Sequence, residues 1–234
     1  MAAKALADLA ALPGVSTASA LAQAQTTALA SGAVLPVQTP LDAVAQLRRG
    51  TTVAVLGSTS LLLGLLAEAS RTGSWAGVIG MPSLGVAAAA ECGVELGRLV
   101  LVPRPGNDVA AVIGAVMDGV DLVVVGPAAC RAMSAPMAQR LSRRARNRGA
   151  VLLATGEWSG ADLTLRCELG TWAGGSQDGR GRLDYRDTVV HRTGKTTAGG
   201  GRPVSVRLPG PNGTPGPTTE TATPATYPPM TVVN

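Results

Sequence analysis

From Gly50 to Ala154 the chain alternates short apolar runs with amphipathic segments of about ten residues, and this alternation restricts the fold more than any other feature. Thr51–Leu56, Trp75–Ile79, Leu99–Val102, Asp121–Val125 and Val151–Ala154 read as strands. Between them, Leu61–Arg71, a segment near Ser83–Cys92, Asp108–Met117 and Ala135–Asn147 read as helices, and Asp108 is placed to cap the third. Near-continuous Val, Leu and Ile runs belong to strands covered on both faces. The pattern therefore predicts βαβ units: an α/β fold with a mostly parallel sheet flanked by helices. After Gly160 the pattern becomes strand and turn, and Leu163–Cys167, Leu183–His191 and Val204–Leu208 are expected as antiparallel strands at one sheet edge.

The flanks differ in composition. Residues 1–45 are Ala-rich with prolines at 13, 36 and 40, which predicts a helical N-terminal extension and a linker before a core over 46–208. Residues 209–234 are Pro-, Thr- and Gly-rich with almost no charge and are expected to form a disordered tail. The chain as a whole is 46% hydrophobic and 15% charged, the balance of a folded protein. Aromatic residues make up 2% with no Phe, so the core must be built from Ala, Val and Leu, and few rings are available to stack nucleic-acid bases. A net charge of +5 permits an anionic partner without requiring one.

Cys92, Cys130 and Cys167 are odd in number and widely spaced, and His191 is the only histidine, so neither a zinc site nor a disulfide scaffold is expected. Lys4 and Asp8 interrupt what would be the apolar region of a signal peptide, and Pro82 with several glycines breaks the longest uncharged apolar span. A cytoplasmic protein with no membrane segment is the expectation.

In a parallel α/β domain, phosphate binds where the first strand turns into a helix. That turn is Gly57-Ser58-Thr59-Ser60, followed by Leu61-Leu62-Leu63-Gly64. A phosphate loop needs a longer glycine-rich turn, a Lys for the β/γ phosphates and a Ser/Thr for magnesium. No lysine occurs between Lys4 and Lys195, and three leucines stand where the lysine belongs. Gly126 and Pro127 follow the fourth strand where a metal-binding aspartate would be needed, and no carboxylate occurs between Arg71 and Glu91 to activate a water. Phosphoryl transfer relies on all three of these parts. Gly57, Ser58, Thr59, Ser60, Gly64 and Gly126 are thus read as the remnant of a nucleotide loop, with no catalytic residue, cofactor or metal, and no enzyme is expected.

Arg140, Arg143, Arg144, Arg146 and Arg148 crowd one helix, whose core-facing stripe is expected to be Met137, Leu141 and Ala145. The arginines read either as a solvated face or as a contact with DNA or an acidic partner. Arg180, Arg182, Arg186, Arg192 and Lys195 form a second basic segment open to the same two readings. Trp158, Trp172 and Tyr227 read either as packing or unstructured residues, or as partner anchors. His191, Asp184 and Asp187 read as strand-edge or turn residues.

From Gly50 to about Leu208 the order of these pieces resembles the ATPase core of the RecA recombinase with its catalytic motifs lost. The resemblance runs through Gly50–Gly57, Gly93–Leu99, Val120–Val125, and Arg140-Leu141 with Arg148–Leu153. Among degenerate relatives the chain is similar to the actinobacterial RecA-like mutasome accessory family, the ImuA-prime type. That similarity is carried by Val100–Gly106, Asp118–Asp121, Gly156–Leu163 and Gly179–Leu183. The resemblance implies a damage-induced, nucleoid-associated adaptor for translesion synthesis. Its partners would be a Y-family polymerase-like protein, an error-prone replicative-type polymerase and RecA, with DNA contact through the basic patches. A damage-induced cell-division inhibitor of the same superfamily and an unorthodox RecA-type ATPase are the alternatives.

Overall fold

The computed structural model describes residues 31–175, 181–194 and 202–218. The chain divides into two units, residues 1–35 and 36–234. Of the first, only 31–35 are described, ending in the short strand Val34–Leu35. Of the helical extension and linker expected over 1–45, residues 1–30 lie outside the described residues.

The second unit is built on a ten-stranded sheet. Its first half follows the predicted alternation: β1 (Thr52–Leu56), α1 (Thr59–Arg71), β2 (Ala76–Ile79), α2 (Val86–Glu91), β3 (Leu99–Val102), α3 (Val109–Met117) and β4 (Leu122–Val125). Next come α4 (Pro127–Ala132), α5 (Ala135–Arg148) and β5 (Val151–Ala154). The second half is β6 (Leu163–Cys167), β7 (Thr171–Gly175), β8 (Gly181–Gly194), β9 (Val204–Arg207) and β10 (Gly216–Pro217). The spatial order is β10–β9–β8–β6–β1–β5–β4–β2–β3, with β7 paired to β8 off this path.

All pairings from β6 to β3 are parallel, and those among β7 to β10, with β8 on β6, are antiparallel. The expected α/β architecture is present, with one correction: β6 is not an antiparallel addition but a sixth parallel strand, in register with β1 from Val53↔Leu163 to Leu56↔Arg166. The Asp162 amide donates to the Thr52 carbonyl at 2.8 Å, and this bond starts the pairing.

The crossovers fix the two faces. β1 connects to β2 in one direction across the sheet, and β4 returns to β5 in the other. The right-handed rule then requires their helices on opposite sides. Accordingly, Ile113 and Met117 of α3 and Ala138, Leu141 and Ala145 of α5 form one core with Val123, Val125, Leu152 and Ala154, and no residue of α1 belongs to it. The α5 stripe buries Leu141 and Ala145 as expected and differs only at its first member, where Ala138 is buried and Met137 half-buried.

Helix α1 is buried at nine of its thirteen positions, too many for a helix covered on one side only. Its outer face is covered by segments expected to lie outside the core. Leu41, Val44 and Ala45 are buried, and Leu41 and Pro215 crowd Gly64: a Cβ there would come within 2.6 and 2.8 Å of them. The region expected to be a linker before residue 46 thus supplies core. Likewise, residues 209–218 of the expected tail are folded, with β10 paired to β9 and the Cys92 thiol donating to the Gly213 carbonyl at 3.3 Å. Residues 219–234, Tyr227 included, lie outside the described residues.

Candidate functional site

Ligands bind in open parallel sheets at the carboxyl ends of the strands, where successive crossovers diverge. Here that place is the junction of β1 and β5, since β1 leads away toward β2 while β5 leads across β1 to β6. A cleft of about 240 Å³ lies there, lined by Val55, Gly57, Ser58, Thr59, Met81, Pro127 and Thr155. It is smaller than the roughly 300–1,000 Å³ typical of ligand pockets. Every lining residue is uncharged.

The turn into α1 is held by its own side chains. Gly57 has φ +85°, a left-handed conformation that favours glycine, and a Cβ there would come 2.5 Å from the Cys167 carbonyl oxygen. Ser58 is the N-cap of α1, and its Oγ accepts the Leu61 amide at 3.1 Å. Arg186 of β8 donates to that same oxygen from Nη2 at 2.9 Å and from Nε to the Leu208 carbonyl at 3.0 Å, while its guanidinium lies 5.5 Å from the Trp172 ring centre. Four backbone donors open every helix, and they make its N-terminus an anion site when free. In α1 one of them is capped, and Arg186, a cation beside the turn, is already engaged. Thr59 is exposed and opens the helix, and Gly64 lies inside α1, not in the turn.

Gly126 ends β4. Its amide donates to the Ile79 carbonyl at 2.7 Å, and a Cβ at this position would overlap the Gly80 carbonyl. A metal-binding carboxylate cannot be accommodated there without separating β4 from β2. Among the described residues, no group of three or more His, Cys, Asp or Glu is placed to hold a metal.

The basic helix α5 meets two carboxylates from other elements, Asp118 and Asp162. Arg144 and Arg148 both reach Asp118, at 2.6 and 3.0 Å, and hold its carboxyl below the usual range, chiefly through the Arg144 hydrogen bond. Arg146 reaches Asp162 at 3.4 Å, and the other oxygen of that carboxylate accepts the Thr52 amide at 3.0 Å. Arg140 and Arg143 are exposed along a groove of about 490 Å³ between α3 and α5, floored by Ala110, Met137 and Leu141. The five arginines are therefore not one surface: three position α5 against its neighbours and two face outward.

Trp158 is not an exposed anchor. It is 6% exposed in the α5 core, and its indole N–H donates to Ser142 Oγ at 3.0 Å, which the Thr52 hydroxyl also reaches at 3.0 Å. Trp172 is partly exposed beside Arg186. In the second basic segment, Arg180 and Lys195 lie outside the described residues. His191 pairs with Glu168 at 2.5 Å on the exposed side of β8, and Asp187 forms a two-bond pair with Arg207 at 2.7 and 2.9 Å. Sequence reasoning missed Arg186 as a partner of the β1 turn. Its one signal was membership of a basic segment, which does not say that β8 lies near β1.

A family model, the MT3502 N-terminal domain, matches residues 40–160, from the segment over α1 through β5 to the Trp158 loop. The chain belongs to this family. It is also 39% identical over 121 residues to the uncharacterized protein Rv3395c of Mycobacterium tuberculosis (strain ATCC 25618 / H37Rv). The match covers 51% of this chain and 59% of that protein, so the chain spans less than two thirds of its relative. The family region contains the neutral cleft and the whole of α5, whereas β6 to β10, with Arg186, lie beyond it.

Proposed function

We propose that the protein is a non-catalytic RecA-like adaptor in damage-induced translesion synthesis. It would work with a Y-family polymerase-like protein and an error-prone replicative-type polymerase through contacts and not through nucleotide chemistry. The observation that carries the non-catalytic part is the cleft at the β1–β5 junction. It is uncharged and small, and its two key positions are closed by Ser58–Arg186 and by Gly126 against Gly80. Phosphoryl transfer needs stabilisation of charge on the phosphates, and none of the lining side chains carries a positive charge. The parallel sheet with its first strand beside the cleft is compatible with a RecA-like frame, and the mutasome role rests on the resemblance of Val100–Gly106 and Gly156–Leu163 to that family.

The test joins calorimetry to genetics. Titration with magnesium-ATP is expected to give no heat of binding, and replacing Ser58, Thr59 and Ser60 by Ala is expected to leave damage-induced mutagenesis intact in a complemented deletion strain. Deletion itself should abolish induced mutagenesis while recombination continues. Micromolar ATP binding would refute the non-catalytic reading. Normal mutagenesis with failed division arrest in the deletion strain would reassign the protein to the division inhibitors.

A further inference from the structure

The groove of about 490 Å³ between α3 and α5 combines an apolar floor with a basic rim. Helix α3 lines it with Ala110, Ala111 and Gly114, so nothing on that wall is larger than a methyl group. Met137 and Leu141 of α5 complete the floor, and Met is a side chain that adapts to what it meets. The two helices run parallel, with Gly114 beside Arg144 and Asp118 beside Arg148. Arg144 crosses α3 to reach Asp118 and closes one end of the groove. Asp108 stands at the other end, engaged as the cap of α3 through the Ala111 amide at 3.1 Å. Arg140 and Arg143 stand on the α5 rim, both exposed, and neither pairs with a carboxylate among the described residues.

We propose that this groove binds an acidic amphipathic helix of a partner protein, its apolar side on Met137 and Leu141 and its carboxylates on Arg140 and Arg143. The partner is defined by that chemistry alone, whatever process the protein serves. A helix is selected because both walls are helices. Their backbone groups are bonded within α3 and α5, so an extended segment would find no backbone partner on either wall, whereas a helix satisfies its own. The size agrees. From Asp108 to Gly114 the wall runs six residues, about 9 Å of helix, which accommodates the i and i+4 side chains of one face. The charge agrees as well. Arg140 and Arg143 are three residues apart, about 4.5 Å along α5, the spacing of carboxylates at i and i+3 on a facing helix. Duplex DNA matches the groove poorly. It carries a charge about every 1.7 Å and would meet two arginines, the exposed Asp108 and a floor that offers phosphate nothing.

The test is fluorescence anisotropy of a labelled peptide titrated with the full chain. The probe has about 18 residues, enough to hold a helix, and is built from Leu, Ala and Glu, with Leu at i, i+3, i+4 and i+7 and Glu flanking that face. Saturable binding with a Kd of about 10–100 µM is expected, the weak end that so short a groove allows. Replacing every Glu of the probe by Gln should weaken binding at least about fivefold, and scrambling it at constant composition should abolish binding. Arg140→Gln with Arg143→Gln should cause the same loss. Arg71→Gln with Arg202→Gln, at exposed arginines outside the groove, should leave binding unchanged. The probe variants are read on the wild-type chain, so they decide the matter even if a protein variant folds poorly. No saturation by about 1 mM overturns the proposal. So does equal binding of the scrambled or the Gln probe, an unchanged affinity in the Arg140 and Arg143 variant, or a DNA duplex that binds through these two arginines more tightly than the peptide.

Discussion

The Ser142 hydroxyl is the smallest group on which the α5 face of the fold depends, and replacing it tests how that face is assembled. Ser142 of α5 accepts the Trp158 indole N–H and bonds the Thr52 hydroxyl of β1, both at 3.0 Å, and all three residues are buried. Ser142→Ala strands two buried polar groups at once. The indole N–H is fixed by its ring and cannot turn to another acceptor, whereas the Thr52 hydroxyl can rotate and recovers part of its loss. An unsatisfied buried donor costs ~1–3 kcal/mol, so the pair should cost about 2–4 kcal/mol. For a domain near 200 residues each kcal/mol moves the midpoint by ~2–4 °C, which predicts a fall of roughly 4–16 °C. Urea unfolding followed by far-ultraviolet circular dichroism measures the free energy without relying on tryptophan emission. Adding Trp158→Phe removes the stranded donor, so the double variant should lose less than the sum of the single losses, with a coupling of about 0.5–3 kcal/mol. A Ser142→Ala variant within ~0.5 kcal/mol of wild type, or an additive cycle, would refute the reasoning.

Three further outcomes follow from other parts of the structure. Burial pushes the Cys130 thiol up to about 11, and Sγ donates to the Val125 carbonyl at 3.4 Å, so Cys130 should resist aromatic disulfide reagents at neutral pH until the chain unfolds; rapid modification of the native protein would contradict this. Asp118 is held below its unfolded value by Arg144 and Arg148, so its stabilisation is present above the unfolded pKa and is lost as pH falls through the folded one. Thermal midpoints of Asp118→Asn should therefore converge on wild type in acid and fall below it near neutrality, and a constant difference across the range would count against the pairing. Ending the chain after Leu208 instead of Thr218 uncovers Gly64 and Leu41 and removes the Gly213 acceptor of Cys92, and should lower stability by about 2 kcal/mol; equal midpoints would show that residues 209–218 contribute no core.

What was legible in the sequence is what local periodicity decides. Leu99–Val102, Val151–Ala154 and Leu163–Cys167 have the predicted bounds to the residue, and Asp108 caps α3 by accepting the Ala111 amide at 3.1 Å. Helix α4 escaped because Gly126-Pro127 reads as a loop, although Pro at a first helical position costs the helix no hydrogen bond. Strand β7 contains Gly174 and Gly175 and exists through its pairing with β8, a contact no local pattern encodes. The direction of β6 was misread for a related reason: turn-rich sequence suggested antiparallel meanders, while the Asp162 amide and carboxylate both bind Thr52 and start a parallel pairing. Low charge and high proline content in 209–218 argued for disorder, yet the chain there needs little core of its own because α1 supplies the surface it covers.

The site was legible in what its residues cannot do, and illegible in what their surroundings do to them. Three leucines in place of a lysine are visible in any reading, but that Arg186 reaches Ser58 depends on β8 lying near β1. Five arginines on one helix look like a single charged face, and only the arrival of Asp118 and Asp162 from other elements divides them into three that are tethered to carboxylates and two that, among the described residues, pair with none. The same limit applies with greater consequence to β3. Leu-Val-Leu-Val is indistinguishable in composition from Leu-Val-Val-Val of β4 or Val-Leu-Leu-Ala of β5, which are wholly buried. Hydrophobic pattern reports that a strand should be covered; strand order reports whether the chain itself covers it. At β3 the two disagree: among the described residues it is bonded to β2 on one side only, and Val100 and Leu101 stay exposed in a run whose composition alone would bury them.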